Sequence, residues 1–274
     1  MSNELTGRRL LRSWLFVPGT RLDLLAKAVR AGTDAIIVDL EDAVLPEHKA
    51  PARLAVAQLP AVGCPLYVRV NAVGTKDFAL DVPAAVQARV SGIVLPKVER
   101  PEDFDALLAL MPAPLPVVAL IETAKGLANL PRIATHPVLH CFAFGGVDFG
   151  VDVGCASDST TMRLARSKLV LASRAANLPP PIDGVTVSLD AEVMEQDARD
   201  AKLQGFGGKL CIHPRQLEHA NRAFRPTEDE IAWATRVAER ADEAQVGALL
   251  VDGEMVDRPV LERAQRILAE VRQR

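Results

Sequence analysis

Acidic and basic residues gather at the ends of apolar runs in this sequence, at spacings that suit chemistry. AIIVDLEDAV (35–44) passes from four apolar residues into Asp39, Glu41 and Asp42. Alternation along a strand puts Ile37, Asp39 and Glu41 on one face. The same alternation aligns Tyr67, Arg69 and Asn71 in LYVRVN, and Ile93, Leu95 and Lys97 in GIVLPK. VVALIE ends in Glu122, CFAFGGVDFG passes two glycines to reach Asp148, and KLCIHP ends in His213. Every one of these runs terminates in an ionisable group.

Glu122 and Asp148 are 26 residues apart, the length of one strand–helix unit. Mg2+ takes one or two carboxylates from a protein, keeps several waters and accepts oxygens from substrate. Two acids on neighbouring strands provide that set. Each acid could instead cap a helix, since Glu122 precedes TAKGLANL and Asp148 lies in a Gly-rich turn. The five histidines show no ligand spacing, which disfavours Zn2+, and His213 before Pro214 reads as a helix-start residue.

Arg69 closes an otherwise apolar strand, and a buried guanidinium demands anionic partners because its charge cannot be removed. It either pairs internally with Asp39 or Glu41, or faces a substrate carboxylate or developing oxyanion while the acids hold it in place. On the second reading Asp39, Glu41 and Asp42 form a pocket wall that orients Arg69. VPGTRLDLLAKA sets a Gly loop and Arg21 at a helix start, with Lys27 two turns later. Phosphate binds at such positions, although solvated surface charges give the same pattern. GFGGK (205–209) lacks the P-loop pattern.

The elements that must position these groups alternate strictly. Strands are expected near 13–17, 35–39, 66–70, 92–95, 116–121, 140–144, 182–185 and 209–212, and helices near 20–31, 47–58, 77–89, 101–110, 124–130, 159–177 and 190–204. Strand–helix repetition with short Gly/Pro connectors implies right-handed βαβ units and a parallel sheet. Eight strands suit a (β/α)8 TIM barrel, whose functional residues sit at the C-terminal strand ends. An open doubly wound sheet is the alternative, but no G-x-G-x-x-G turn follows the first strand. The expected division is an α/β barrel domain over 1–222 and an extension over 223–274 that packs on the barrel or a neighbouring subunit. The extension holds a helix opened by a Thr227/Glu230 capping box, a hairpin on Asp252-Gly253, and a last helix from about 259.

Composition narrows the classes. Hydrophobic residues make up 49% of the 274 but aromatics only 4%, so the core is aliphatic and Ala-rich. A net charge of −3 with no basic stripe argues against nucleic acid. Cys64, Cys141, Cys155 and Cys211 form no CxxC pair and read as reduced, mostly buried thiols. No apolar run approaches a membrane span, and MSNELTGRR lacks a signal-peptide core. A cytoplasmic protein without membrane partners is expected.

Taken in order, RSWLFVPGTR, DLEDAV, VRVN, PKVE, IETAKGLAN, FGGVDFG, GKLCIHPRQ and DGEMVD resemble the citrate lyase β-subunit-like proteins of the HpcH/HpaI aldolase and malyl-CoA lyase superfamily. The resemblance runs from about residue 12 to 260. It implies a barrel, commonly a homotrimer or hexamer, that uses Mg2+ for carbon–carbon lyase or condensation chemistry on acyl thioesters. Carried over by position, it implies Glu122 and Asp148 as metal ligands and Arg69 as the substrate-binding residue. Glu41 and Asp42 would line the pocket, and Arg21 and Lys27 would lie near the nucleotide end of the thioester. Asp257 of DGEMVD would reach a neighbour's active site; an N-cap on the last helix is the equal alternative.

The implied reaction is a reversible retro-Claisen or aldol-type cleavage of a 3-hydroxyacyl thioester, an acyl-CoA such as malyl- or citramalyl-CoA or an acyl-carrier-protein thioester. Rival readings are a citryl-carrier-protein lyase subunit, a metal-dependent 2-keto acid aldolase, an acyl-CoA thioesterase and a non-catalytic barrel. The last predicts a missing metal acid or arginine, and all three residues are present.

Overall fold

Strands that are apolar on both faces need cover on both sides, and a closed barrel ringed by helices supplies it. The computed structural model describes residues 11–244 and 249–272. They fall into two compact units, Leu11–Phe224 and one containing the described residues from Arg225 on.

The first unit closes eight parallel strands in sequential order into a barrel. In chain order its elements are β1 (Ser13–Pro18), α1 (Leu25–Arg30), β2 (Ala35–Asp39), α2 (Lys49–Val56), β3 (Leu66–Arg69), α3 (Phe78–Gln87), β4 (Gly92–Leu95), α4 (Glu102–Leu108) and β5 (Val117–Ile121). There follow α5 (Ala124–Ala128), α6 (Leu130–Ile133), β6 (Leu139–Phe144), α7 (Gly146–Val153), α8 (Thr160–Ala175), β7 (Ile182–Asp183), α9 (Ala191–Gln204), β8 (Gly208–Cys211) and α10 (Leu217–Ala223). The eight expected strands are all present and the barrel replaces the open-sheet alternative. Three helices depart from expectation, the first being α6, a separate turn just beyond the helix expected over 124–130. The stretch read as a Gly-rich turn is α7, because its two leading glycines serve as N-cap and first residue while Phe149 packs in the core. No helix was expected over α10, which packs against α9 and β1.

Alternation sorts the strand residues into two layers. Trp14, Ala35, Ile37, Tyr67, Val94, Val118, Leu120, Ala143, Ile182 and Leu210 fill the barrel interior. Their neighbours Leu15, Ile36, Val68, Ile93, Leu95, Val117 and Phe142 pack outward with the helices. β7 has only two residues, since Pro179, Pro180 and Pro181 precede it and cannot donate to a ladder. Charge supports it instead: Lys209 Nζ reaches Asp183 Oδ2 at 2.7 Å, and Arg166 of α8 lies 3.0 Å from Asp183 Oδ1. Lys209, the basic end of GFGGK, is thus a buried structural cation and not part of an anion loop.

The second unit comprises α11 (Glu228–Ala244), a hairpin of β9 (Leu249–Val251) and β10 (Glu254–Val256), and α12 (Arg258–Arg272). The expected capping box is formed by Thr227 N–H on Glu230 (2.8 Å) and Glu230 N–H on Thr227 Oγ1 (3.1 Å). Asp252 and Gly253 take φ of 50° and 85°, as a tight two-residue hairpin turn requires. Ala234, Val237, Val251, Val256 and Ala264 form a small core of their own. No helix among the described residues is long and apolar enough to cross a membrane.

One strand residue tests the interior packing. A methyl group built on Gly92 meets the Pro116 carbonyl oxygen at 2.5 Å and the Tyr67 ring at 2.6 Å, so the Tyr67 ring occupies the space that glycine leaves. Gly92→Ala is expected to lower the unfolding free energy by about 1–3 kcal/mol, measured by urea denaturation. An unchanged midpoint would show that both the Tyr67 ring and the Pro116 carbonyl can give way.

Candidate active site

The site is built around Arg69. Register pairs Asp39 with Arg69 across β2 and β3, and parity directs both into the barrel mouth. Arg69 Nε donates to Asp39 Oδ1 at 2.7 Å and Nη2 to Oδ2 at 2.6 Å, a bidentate pair. Asp39 also accepts the Glu41 and Ala43 amides, each at 2.9 Å, so its carboxylate folds the next turn over itself. The guanidinium lies 4.8 Å from the Phe16 ring centroid. Its Nη1 faces Glu41 Oε2 at 3.2 Å and Asp42 Oδ2 at 3.3 Å. Burial alone would disfavour the charge on Arg69, but Asp39, Glu41 and Asp42 outweigh it and raise the pKa.

The alternation argument fails at Lys97. Ile93 and Leu95, its supposed facemates, pack outward with the helices. Lys97 enters the site because the chain leaves β4 after Leu95 and turns through a left-handed residue, Lys97 itself, at φ 52°. Its N–H then donates to Glu122 Oε1 at 2.8 Å, and its Nζ to Glu41 Oε1 at 2.9 Å. Asn71 also departs from its predicted face: it bonds Asp81 of α3 and Lys49 of α2.

Glu122 follows β5 and is 2% exposed. A methyl group at Gly145 would overlap its Cβ and Oε2, so this glycine lets the β6–α7 turn close against the carboxylate. Asp148 stands in the first turn of α7, near enough for its charge to act on Glu122. Burial first, then the charges of Glu41 and Asp148, push Glu122 up to about 8, against the opposing pull of the Lys97 N–H and ammonium. Burial likewise raises Glu41, opposed by Arg69 and Lys97.

Two hard-oxygen donors close enough for their charges to interact, one of them with its ionisation disfavoured by burial, are a donor set that a divalent cation satisfies. Among the described residues no group of three or more His, Cys, Asp or Glu could hold a metal. The donor set therefore fits Mg2+, which keeps open positions for water and substrate, better than a closed protein cage. Thr123, not Glu122, caps α5, accepting the Gly126 N–H at 3.0 Å.

The remaining expected residues fall elsewhere. The Gly19 N–H bonds the Asp39 carbonyl at 2.8 Å, setting the PGTR turn against the end of β2. Arg21 is exposed and paired with Asp23 at 2.9 Å, and Lys27 is exposed on α1. His213 caps a short 3-10 turn, Pro214–Gln216, as its place before proline suggests. Asp257 lies in the second unit, where its Oδ1 accepts the Val260 N–H at 3.2 Å and caps α12. Lys97 is the residue that sequence reasoning noticed but left out of the site; the PK dipeptide at a strand end was its only signal.

A closed (β/α)8 barrel with two carboxylates, an acid-caged arginine and a lysine at its C-terminal mouth defines a class of metal-assisted enzymes. The chain matches the family described as HpcH/HpaI aldolase/citrate lyase over residues 12–214, and it belongs to that family. It is 36% identical over 269 residues to a (3S)-malyl-CoA thioesterase of Cereibacter sphaeroides, covering 94% of each chain. It is 31% identical over 290 residues to the mitochondrial citramalyl-CoA lyase of Rattus norvegicus, covering 94% of this chain and 85% of the relative. Among solved structures it is similar to the CitE protein of Mycobacterium tuberculosis in complex with magnesium, acetoacetate and coenzyme A. That likeness has a TM-score of 0.86 at 34% identity, with 97% of this chain and 98% of the other covered.

The raised Glu122 carboxyl has a pH consequence in the metal-free protein. Its folded value near 8 exceeds the ordinary 4.5, so the protonated form favours folding and the ionised form opposes it. The stability it allows is fully present below about pH 4.5 and lost as pH rises toward 8. With EDTA present, the melting temperature of wild type relative to Glu122→Gln is expected to fall between about pH 5 and pH 8.5, and Mg2+ to restore it. A difference that stays constant with pH would refute the assignment.

Proposed function

We propose that this chain is a Mg2+-dependent carbon–carbon lyase that cleaves a 3-hydroxyacyl thioester, of the acyl-CoA type, to a 2-oxoacid and a shorter thioester. The observation that carries the reading is that Glu122 and Asp148 act on each other while Glu41 acts both on Glu122 and on the Asp39-held Arg69. Glu122 and Asp148 would hold the ion. When bound, it supplies Lewis-acid polarisation of a substrate oxygen and offsets the carboxylate charge.

The chain's own groups divide the remaining work. Asp39 fixes the guanidinium plane, so the Arg69 charge acts as a fixed positive field on oxygen charge that develops as the carbon–carbon bond breaks. Glu41 is the first candidate to move the proton. It is buried with a raised pKa, as suits general acid–base work at neutral pH. Its Oε2 has a charge contact with Arg69 but no aligned hydrogen bond among the described residues. Asp42, 59% exposed at its side chain, and Asp257, acting from a neighbouring copy, are the alternative acids. Arg21 and Lys27 would meet the nucleotide end of the thioester, and a homotrimer or hexamer is the assembly that fits an Asp257 supplied in trans.

Hydrolysis is the second reading, because a relative at 36% identity is named a thioesterase, against 31% for the citramalyl-CoA lyase. A panel of malyl-, citramalyl- and related CoA thioesters, assayed with Mg2+ or EDTA, separates the two. Lysis releases a 2-oxoacid with the thioester retained on the other product, whereas hydrolysis releases free thiol. Glu122→Ala and Arg69→Lys are each expected to lower kcat at least about 100-fold. Lysine cannot replace the bidentate fork. Full turnover by Glu122→Ala in Mg2+ would exclude this site, and full turnover in EDTA would exclude the metal.

A further inference from the structure

Count the donors on the two cations at the barrel mouth. A guanidinium has five N–H groups. In Arg69, Nε and one Nη2 hydrogen are committed to Asp39, and Nη1 faces Glu41 and Asp42. The group is caged on its acid side and stacked on Phe16, so it has little left to give an incoming anion. An ammonium has three N–H groups. Among the described residues the only side chain that Lys97 Nζ bonds is Glu41, at 2.9 Å, and the lysine side chain is 42% exposed. The two cations therefore differ in kind: one is fixed, the other has donors and room.

The backbone beneath Lys97 strengthens the case. A lysine at φ 52° adopts a conformation that glycine would take without cost. Strain of this kind collects where function requires it. The turn itself serves the Lys97 N–H bond to Glu122 Oε1, and glycine could supply that bond. What glycine could not supply is an ammonium bonded to Glu41 and close enough for its charge to act on Glu122.

We propose that Lys97 is the receptor for the substrate carboxylate, its ammonium passing from Glu41 Oε1 to the carboxylate of a 2-oxoacid or its acyl precursor bound beside Glu122 and Asp148. This inference rests on the metal-site reading above. It adds a residue that touches substrate, and it links substrate binding to release of a Glu41 oxygen.

The test is calorimetric titration of pyruvate, as the simplest 2-oxoacid, into wild type, Lys97→Met, Lys97→Arg and Glu122→Gln with saturating Mg2+, alongside Mg2+ titrations of each. Lys97→Met is expected to weaken pyruvate binding about 10- to 100-fold, the range for losing a charged hydrogen bond, with Mg2+ affinity undiminished and melting temperature held. Lys97→Arg is expected to recover most of the pyruvate affinity. Wild-type pyruvate binding by Lys97→Met overturns the inference. So does a parallel loss of Mg2+ and pyruvate in Lys97→Met, since Lys97 would then act through the metal site. Wild-type Mg2+ binding by Glu122→Gln, in contrast, overturns the metal-site reading itself.

Discussion

A guanidinium buried in the mouth of a barrel constrains everything around it. Arg69 cannot lose its proton, and removing its charge from water costs more than one loose ion pair returns. Its surroundings answer that demand. Asp39 binds it through both oxygens, and the Glu41 and Ala43 amides hold Asp39 in turn. That folding of the β2–α2 turn delivers Glu41 and Asp42 to the same guanidinium. The turn is then pinned from outside the barrel, where Lys49 Nζ bonds the Leu40 and Glu41 carbonyls and Asn71 Oδ1. Asn71 itself is fixed by Asp81, which Arg53 of α2 also binds. A chain of polar contacts thus runs from the outer helices to the pocket arginine.

How much of this could be read from the sequence depended on whether a residue obeyed its strand. The barrel was legible because each strand is a short apolar run and each run ends in an ionisable group. Arg69 and its acids were legible for the same reason: parity holds along β2 and β3 up to the register pair Asp39–Arg69. Lys97 and Asn71 were misplaced because parity ends where the ladder ends, and at Lys97 a left-handed backbone re-aims its own side chain. α7 was obscured by its glycines, whose roles at a helix start depend on Glu122 lying against Gly145. The Asp183–Lys209–Arg166 cluster joins β7, β8 and α8, elements too far apart in the chain for any local spacing to announce it.

The second unit shows the opposite balance. Its local signals, the Thr227 box, the Asp252-Gly253 turn and the Asp257 cap, are all realised, because each is settled within four residues. Local chemistry of this kind specifies an element but not its partners. An Asp257 that caps α12 still exposes its side chain, so its structural role does not compete with a chemical one.

Charge pairing at the barrel mouth limits what the pocket can accept. Asp39, Glu41, Asp42, Glu122 and Asp148 stand against Arg69 and Lys97. Asp39 is matched by Arg69 and Glu41 by Lys97, while Asp42 is half in water. Glu122 and Asp148 remain, and burial first, then the charges of Glu41 and Asp148, keep the Glu122 carboxyl raised. A doubly charged cation matches them and leaves no surplus positive charge for a substrate anion. An anionic acyl group entering this pocket must therefore displace one of the existing pairs. The Asp39–Arg69 pair is bidentate and buried, and breaking such a pair strands a charge. The Glu41–Lys97 pair has one hydrogen bond and an exposed partner, so on the proposed reading it is the pair that yields, and the carboxylate it uncovers is one whose pKa burial raises.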